Sequence, residues 1–196
     1  MMNVVFIHGI LDTGHIFKRM RTAFETADIH CLAPSLKPRD GRTGLDRLAE
    51  DLMQQIDAEF GTDEPISIVG FSMGSIVGRY YIQELGGHDR VKQYFSIAGP
   101  HRGSIWSFFY PGRGARHMRP GSTFLKNLND SASEFDGMEC HAYWTPFDLM
   151  IVPQHSALLP FAENHRVLSW CHPCLLINPH VMNDIRDKVI NHWNFV

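Results

Sequence analysis

One pentapeptide constrains the fold of this chain more than any other feature. Residues 70–74 read G-F-S-M-G, and a largely apolar, β-branched stretch at residues 65–69 runs directly into them. A segment of apolar and small residues, 73–85, follows without a break. The pattern predicts a buried strand, a sharp turn and a helix, with Ser72 held in a strained backbone at the turn. The two glycines of the motif are expected because larger side chains there would collide with the neighbouring strand and helix.

Strands and helices alternate along most of the 196 residues. The predicted strands cover residues 3–7, 29–32, 65–70, 91–98, 139–144 and 167–170, and the predicted helices cover 15–26, 44–60, 73–85, 154–162 and 179–193. Such alternation predicts an α/β protein whose parallel sheet of about six strands is covered by helices on both faces. The length fits one domain over residues 1–196. Residues 99–138 are rich in Gly, Pro and Arg, and we expect them to form an irregular cap or flap within that domain.

Composition and charge exclude several classes of protein. Hydrophobic residues make up 44% of the chain and charged residues 20%, which is ordinary for a globular protein and too apolar for a disordered one. The net charge of -3 lacks the basic excess of a nucleic-acid-binding protein. No apolar run reaches the roughly 18 residues of a membrane span. The first residues carry no basic leader, so we expect a cytoplasmic protein whose four cysteines are thiols.

A serine at such a turn becomes a nucleophile only with partners. It needs a base, an acid that orients the base, and N–H donors that stabilise the oxyanion formed on attack. Met73, directly after the serine, supplies one backbone N–H. The second N–H is predicted to come from Ile10, in the loop after the first strand, where Gly9 lets the backbone approach closely. His8 lies in the same loop, and because it follows the first strand rather than the last, we interpret it as an anchor of the loop.

These segments resemble the α/β-hydrolases, in particular the small serine lipases and esterases. H-G-I at 8–10 is similar to their oxyanion loop, and G-F-S-M-G is similar to their nucleophile turn. A-G-P-H-R-G-S at 98–104 and M-R-P-G-S-T-F-L at 118–125 are similar to segments after the following strand in lipase-like members. The resemblance spans residues 3–193. It implies a minimal α/β-hydrolase fold and a serine hydrolase that cleaves carboxylic esters of acyl or lipid type through an acyl-enzyme, with no cofactor and no metal.

The acid is predicted from the order of the strands. In the family that the chain resembles, the acid follows either the next strand after the serine turn or the one after it. The segment between Asp89 and Asp130 contains no Asp or Glu, which excludes the first possibility. After the fifth strand the chain reads Y-W-T-P-F-D-L-M-I-V-P, whose D-x-x-x-V-P pattern is similar to the family's acid turn. Asp148 is therefore the predicted acid, whereas Asp136 and Glu139 precede that strand.

The base is expected in the loop between the last strand and the last helix. The stretch H-P-C-L-L-I-N-P-H-V resembles the family's histidine loop, and in that register the base is His172. His180, in the first turn of the last helix, and His165, before the last strand, are the alternatives. His172 would take the Ser72 proton while Asp148 holds the imidazole tautomer.

Other functions remain open at this stage. Cys171 and Cys174 form a C-x-x-C around His172, a spacing also found in redox and zinc sites. A redox pair should open a helix, but the helix start signal comes later, at Asn178, and no further cysteines have zinc-ligand spacing. We interpret the two as small buried thiols beside the histidine. The same catalytic residues also serve thioesterases and acyltransferases, and a non-catalytic binding protein can keep the same fold.

Two features bear on the substrate and its surroundings. The apolar and aromatic stretch at residues 105–110 favours a small-molecule ester or lipid substrate with an acyl chain. The alternative is that these residues are ordinary core. Residues 90–129 hold seven Arg and Lys residues and no Asp or Glu. These cations either pair with carboxylates elsewhere in the protein or form a basic surface that makes weak contact with an anionic membrane.

Overall fold

A computed structural model describes residues 2–194, and its centre is a parallel sheet of six strands. The strands are β1 (Asn3–Ile7), β2 (His30–Leu32), β3 (Ile66–Phe71), β4 (Val91–Ile97), β5 (Glu139–Trp144) and β6 (Glu163–Arg166). Their order across the sheet is β2-β1-β3-β4-β5-β6, and every neighbouring pair is parallel. β1 and β3 are buried along their whole length, which explains why both are continuously apolar rather than alternating.

Helices cover both faces of the sheet, as predicted. Within residues 2–194 the α-helices are α1 (Lys18–Glu25), α2 (Leu45–Phe60), α3 (Met73–Glu84), α4 (Arg113–His117), α5 (Thr123–Asp130) and α6 (Pro179–Asn194). Helices α2, α3 and α5 contribute to the apolar core on one face. Helices α1 and α6 contribute to the core on the other face. The sheet therefore lies between two apolar layers, which is the predicted α/β architecture.

The glycines of the G-F-S-M-G turn allow α3 to lie close against the sheet. A Cβ on Gly74 would lie 2.0 Å from the carbonyl oxygen of Ile7 on β1. A Cβ on Gly70 would lie 2.5 Å from the Cα of Ser75 on α3. Neither clash can be relieved by rotating a side chain, because the atoms met are backbone. The predicted reason for both glycines is confirmed.

The prediction of a sixth strand at residues 167–170 is wrong. Strand β6 is the preceding segment, Glu163–Arg166, whose residues pair with β5. Its polar sequence hid it, because an edge strand has a neighbour on one side only and does not need a continuous apolar run. The Val167 N–H still donates to the Trp144 carbonyl at 2.8 Å, but the chain then leaves the sheet. Trp170 ends up 85% exposed.

Three other segments differ from the expected pattern. Residues 99–138 are only partly irregular, since they contain α4 and α5, and the Ser122 hydroxyl caps α5 by accepting the Leu125 N–H at 3.2 Å. The helix expected at 154–162 is reduced to the 3-10 turn Gln154–Ala157. The first helix begins as the 3-10 turn Gly14–Phe17 before α1. None of the helices in the described part of the chain is long and apolar enough to cross a membrane.

Candidate active site

Ser72 lies at the junction of β3 and α3 in a strained conformation. Its φ of 53° and ψ of -121° are rarely adopted by a residue with a side chain. Two backbone hydrogen bonds hold it there: its N–H donates to the Ile97 carbonyl on β4 at 2.9 Å, and its carbonyl accepts the Ser75 N–H at 3.1 Å. Ser72 is 8% exposed. The turn therefore presents one serine at the carboxyl end of the sheet.

Asp148 and His172 form a buried hydrogen-bonded pair. The His172 Nδ1 lies 2.7 Å from the Asp148 Oδ2. The other carboxylate oxygen, Oδ1, accepts the backbone N–H groups of Met150 at 2.8 Å and Ile151 at 2.9 Å. With Oδ1 occupied by these two donors, Oδ2 accepts the hydrogen bond of the His172 Nδ1–H, which leaves Nε2 as the ring nitrogen with a lone pair.

The turn that carries Asp148 is tied to the loop that carries His172. The Thr145 hydroxyl donates to the Ser169 carbonyl at 2.7 Å. The Gln154 side-chain amide donates to the Asp148 carbonyl at 2.9 Å. These bonds limit the relative motion of the carboxylate and the imidazole, although 24 residues separate them in sequence.

His172 also approaches the end of β3. Its ring packs against that of Phe71, the residue before Ser72, with 4.7 Å between centroids. Within residues 2–194, no hydrogen bond joins the Ser72 hydroxyl to the His172 ring. The structure therefore brings the serine and the histidine to the same end of the sheet and forms the hydrogen bond between the histidine and the aspartate only.

The loop after β1 approaches the serine closely at Gly9. A Cβ on Gly9 would lie 3.2 Å from the Ser72 Cβ, so the absence of a side chain allows the close approach. Among the described residues, the N–H groups of Ile10 and Met73 donate to no backbone or side-chain acceptor. The N–H of the next residue, Leu11, donates to the Arg39 carbonyl at 2.7 Å. Met73 directly follows Ser72, and Ile10 lines the same cleft as Ser72, so these two N–H groups stay the predicted donors of an oxyanion site.

His8 anchors this loop and is not positioned as a base. Its Nδ1–H donates to the Gly9 carbonyl at 2.8 Å, and its Nε2 accepts the Leu36 N–H at 2.9 Å. The side chain is fully buried, and this burial lowers the pKa of His8 below its ordinary value. A neutral ring suits both bonds, because the protonated ring could not accept the Leu36 N–H.

Asp12 was not singled out from the sequence. Its carboxylate lies beside Gly9, 3.1 Å from where a Cβ would be. Partial burial raises the pKa of Asp12, and the positive charge of Arg39 opposes that rise. In the sequence, Asp12 is simply an acidic residue three positions after Gly9. Its closeness to the site becomes apparent only from the fold of the loop.

An apolar cleft opens beside Ser72. Side chains from the loop after β1, the segment after β4 and the Asp148 turn line it, including Ile10, Trp106, Tyr110, Met118, Met150 and Ile151. Three hydrogen bonds fasten the segment after β4 to the Asp148 turn. Ser104 Oγ donates to the Met150 carbonyl at 2.8 Å, Ile105 N–H to the Val152 carbonyl at 2.9 Å, and Trp106 Nε1 to the Leu149 carbonyl at 2.6 Å. The apolar stretch at residues 105–110 thus forms a wall of the cleft rather than ordinary core.

Large apolar side chains are exposed on this segment and on the two loops that carry Asp148 and His172. We call them the apolar rim; its members are Trp106, Phe108, Phe109, Phe147, Leu149, Leu168 and Trp170. Phe109 is 75% exposed, and Phe147 stacks on Trp170 with 5.4 Å between ring centroids. Exposed apolar surface of this kind is characteristic of an interaction site.

The expectation of four thiols is wrong for one pair. Cys171 and Cys174 are joined in a disulfide on either side of His172, and both are half-buried rather than buried. Cys31 and Cys140 are free and buried, as expected, and burial raises the pKa of each thiol to about 12. The short span between Cys171 and Cys174 favours the bond, because two intervening residues can turn back on themselves.

The two alternative histidines lie elsewhere. His180 is exposed in the first turn of α6, and its N–H donates to the Asn178 side chain at 2.9 Å. His165 lies on β6, where its Nε2 is 3.1 Å from the Nδ1 of His141. Neither is hydrogen bonded to Asp148.

The basic segment is partly neutralised within the protein. Arg90 is buried and pairs with Asp57 at 2.9 Å, and Arg113 pairs with Asp46. Arg119 lies over the ring of Phe108 at 5.1 Å. Within residues 2–194, Arg102 and Arg116 are exposed and form no ion pair. Pairing with carboxylates elsewhere in the protein is thus confirmed for Arg90 and Arg113, and contact of the segment with an anionic membrane stays a prediction.

The fold is that of the α/β-hydrolases, with a serine at the sharp strand–helix turn and a buried Asp–His pair beside it. Residues 3–109, just over half of the chain, match a family model described as palmitoyl protein thioesterase, and the chain belongs to this family. A search of curated protein sequences found no match.

Solved structures of lipases and esterases share the fold. Lipase B of Aspergillus fumigatus superposes with a TM-score of 0.83 at 12% identity, over 96% of this chain and 52% of that one, so this chain spans about half its length. The mature lipase BlEst2 of Bacillus licheniformis superposes with a TM-score of 0.80 at 13% identity, over 96% and 91% of the two chains. A thermophilic esterase of Thermogutta terrifontis, solved with malate bound, gives 0.69 at 14% identity, over 97% and 90%.

Proposed function

We propose that this protein is a serine hydrolase that cleaves carboxylic esters with an apolar acyl group. The observation that carries the proposal is the buried 2.7 Å bond between Asp148 and His172, at the same end of the sheet as a serine in a strained turn. Perturbed or strained groups gathered beside an apolar cleft are the usual signature of an active site. The lipase and esterase folds of the structural relatives support the same reaction class.

The proposed mechanism begins with attack by Ser72. His172 Nε2 takes the proton from the serine Oγ as that oxygen bonds to the carbonyl carbon, and Asp148 stabilises the imidazolium that results. The free N–H groups of Ile10 and Met73 hold the oxyanion. The imidazolium then returns its proton to the leaving group, which departs and leaves an acyl-enzyme. Water, deprotonated by His172, releases the acid and restores Ser72.

Thioester hydrolysis is the second candidate, and the family match favours it specifically. The chemistry at Ser72 would be the same, with a thiolate or thiol as the leaving group in place of an alcohol. The apolar lining of the cleft suits a fatty acyl chain in either case. The two candidates therefore differ in the leaving group and not in the residues used.

A fluorophosphonate should label Ser72 covalently, because it reacts with serines activated in this way. Ser72→Ala should abolish both the labelling and the hydrolysis of a soluble ester, whereas the exposed Ser133→Ala should keep both. Mass spectrometry of the labelled peptide would identify the residue. Labelling that persists in Ser72→Ala would overturn the proposed nucleophile.

A matched series of substrates distinguishes the leaving groups. Oxygen esters and thioesters of the same acyl chains, from short to long, would be compared with wild type and Ser72→Ala. A higher kcat/KM for every thioester over its oxygen ester would favour the thioesterase, and the reverse would favour the esterase. An apolar cleft predicts that kcat/KM rises with chain length for whichever class is turned over.

A further inference from the structure

Three potential metal ligands converge between β5 and β6. The Nδ1 of His141 lies 3.1 Å from the Nε2 of His165 and 3.3 Å from the Oε2 of Glu163, and the last two atoms are 3.8 Å apart. The parallel register explains the convergence, because Glu163 is the direct partner of His141, and His165 is the partner of Tyr143 two residues further along β5. All three side chains therefore share one face of the sheet.

The separations match the edges of a zinc coordination tetrahedron. Zn²⁺ binds histidine nitrogen and carboxylate oxygen at about 2.0–2.2 Å, so two ligands of a tetrahedral site lie about 3.3–3.6 Å apart. The three measured separations bracket that range. Two imidazoles and one carboxylate are also a donor set that zinc favours over magnesium or calcium, which prefer oxygen ligands alone.

A second carboxylate orients the central histidine. The Nε2–H of His141 donates to the Glu139 Oε1 at 2.9 Å, so the lone pair of this ring lies on Nδ1, the nitrogen that faces Glu163 and His165. Glu139 is itself held, since its Oε2 accepts the Gln93 side-chain amide at 2.8 Å. A carboxylate behind a ligating histidine is the common arrangement in zinc sites.

Aromatic neighbours also fix both imidazole planes. His141 stacks on Phe95 of β4 with 5.3 Å between centroids, and His165 stacks on Tyr143 of β5 with 4.7 Å. The Glu163 side chain, by contrast, is 66% exposed at the sheet edge, so an ion and a water ligand can reach the site from solvent. The ligands are thus two oriented rings and one exposed carboxylate.

We propose that His141, Glu163 and His165 bind one Zn²⁺ ion, with water as the fourth ligand. On binding, the His165 proton moves from Nε2 to Nδ1, so that the lone pairs of both rings face the ion. The ion would join the edge strand β6 to β5. Glu163 begins β6, whereas Ser72 follows the carboxyl end of β3, so the site is separate from the proposed catalytic centre. This departs from the expectation of a metal-free protein and does not depend on the proposed hydrolase activity.

Titration of the chelator-treated protein with ZnCl₂ in a calorimeter tests the proposal. Wild type should bind one tight equivalent, and the same addition should raise the Tm, because the ion binds the folded state. His165→Gln should weaken binding by at least about 100-fold and remove the Tm shift. Glu163→Gln and Glu139→Gln should each weaken it by about 10–100-fold, the second through the orientation of His141.

His88→Gln is the matched control, because His88 is an exposed histidine within 3.4 Å of two carboxylates, those of Asp89 and Glu134, outside the cluster. It should keep the tight equivalent. The Tm of each metal-free variant reports whether it folds. If His165→Gln does not fold, Glu163→Gln still tests the site, because Glu163 is exposed. Absence of a tight equivalent in wild type, or a tight equivalent unchanged in Glu163→Gln and His165→Gln, would overturn the proposal.

Discussion

At the scale of single residues, His172 depends on Asp148 for its tautomer and orientation. The carboxylate accepts two backbone N–H groups with one oxygen and the imidazole with the other. His180 is exposed at the start of α6, and its ring has no comparable partner among residues 2–194. The two histidines are only eight positions apart in sequence, but their surroundings give them different expected roles.

His172→Ala should lower the kcat/KM for a soluble ester roughly 10⁴-fold, as the loss of a catalytic base does. His180→Ala should leave most of the activity, because that side chain lies outside the Asp148 pair. Steady-state kinetics with both purified variants, checked for folding by circular dichroism, would measure the difference. An active His172→Ala together with an inactive His180→Ala would mean that the base is misassigned.

At the scale of elements, the loop between β6 and α6 has two independent sources of order around His172. One is the disulfide between Cys171 and Cys174. The other is a set of hydrogen bonds, which includes Thr145 to Ser169 at 2.7 Å and the Cys174 N–H to the Cys171 carbonyl at 3.1 Å. Because the second set does not involve the sulfur atoms, the loop should keep its shape without the disulfide.

Replacing Cys171 and Cys174 together with Ser should leave kcat for a soluble ester largely unchanged. The free energy of unfolding should fall by at most ~2 kcal/mol, because a crosslink across so short a loop restricts the unfolded chain only a little. Urea denaturation and kinetics with and without a thiol reductant would measure both. A kcat that falls in the double variant and tracks reductant in wild type would instead make the disulfide a positioning element for His172.

At the scale of the whole molecule, charge is unevenly distributed. The chain has a net charge of -3, yet residues 90–129 hold seven cations and no anion. Arg90 and Arg113 pair with carboxylates of α2 and contribute to packing. Arg102 and Arg116 are exposed, and they lie on the same segment that carries part of the apolar rim. A surface that combines exposed cations with exposed apolar side chains is suited to contact with an anionic lipid surface.

Arg102→Glu with Arg116→Glu should weaken binding to anionic vesicles while sparing hydrolysis of a soluble ester. Wild type should bind anionic vesicles more tightly than neutral ones, and salt should reduce the difference by screening exposed charge. Vesicle sedimentation would measure both effects. Arg21→Glu with Arg186→Glu, on α1 and α6, changes the net charge equally and should bind as wild type. Equal binding of wild type to both vesicle types would contradict a basic lipid-facing surface.

The amino-acid order alone predicts the central sheet and the serine turn. β1, β3 and the G-F-S-M-G turn are recognisable because their signals are local: a continuous apolar run, and glycines where a side chain would meet backbone. The expectation for Asp148 and His172 came from the resemblance to the α/β-hydrolases, read together with the order of the strands along the chain. It is consistent with a parallel sheet, in which the carboxyl ends of the strands meet at one edge.

The arrangement at the sheet edge and around the cleft depends instead on how segments distant in sequence pack together. β6 is polar and has no apolar periodicity by which it could be recognised. It is a strand because it pairs with β5, which is distant in sequence. The meeting of His141, Glu163 and His165 depends on the register of that pairing, and a shift of one residue would send these side chains to opposite faces. The exposure of the apolar rim likewise depends on which loops become neighbours. Local patterns encode the elements, whereas contacts between distant segments depend on how those elements pack.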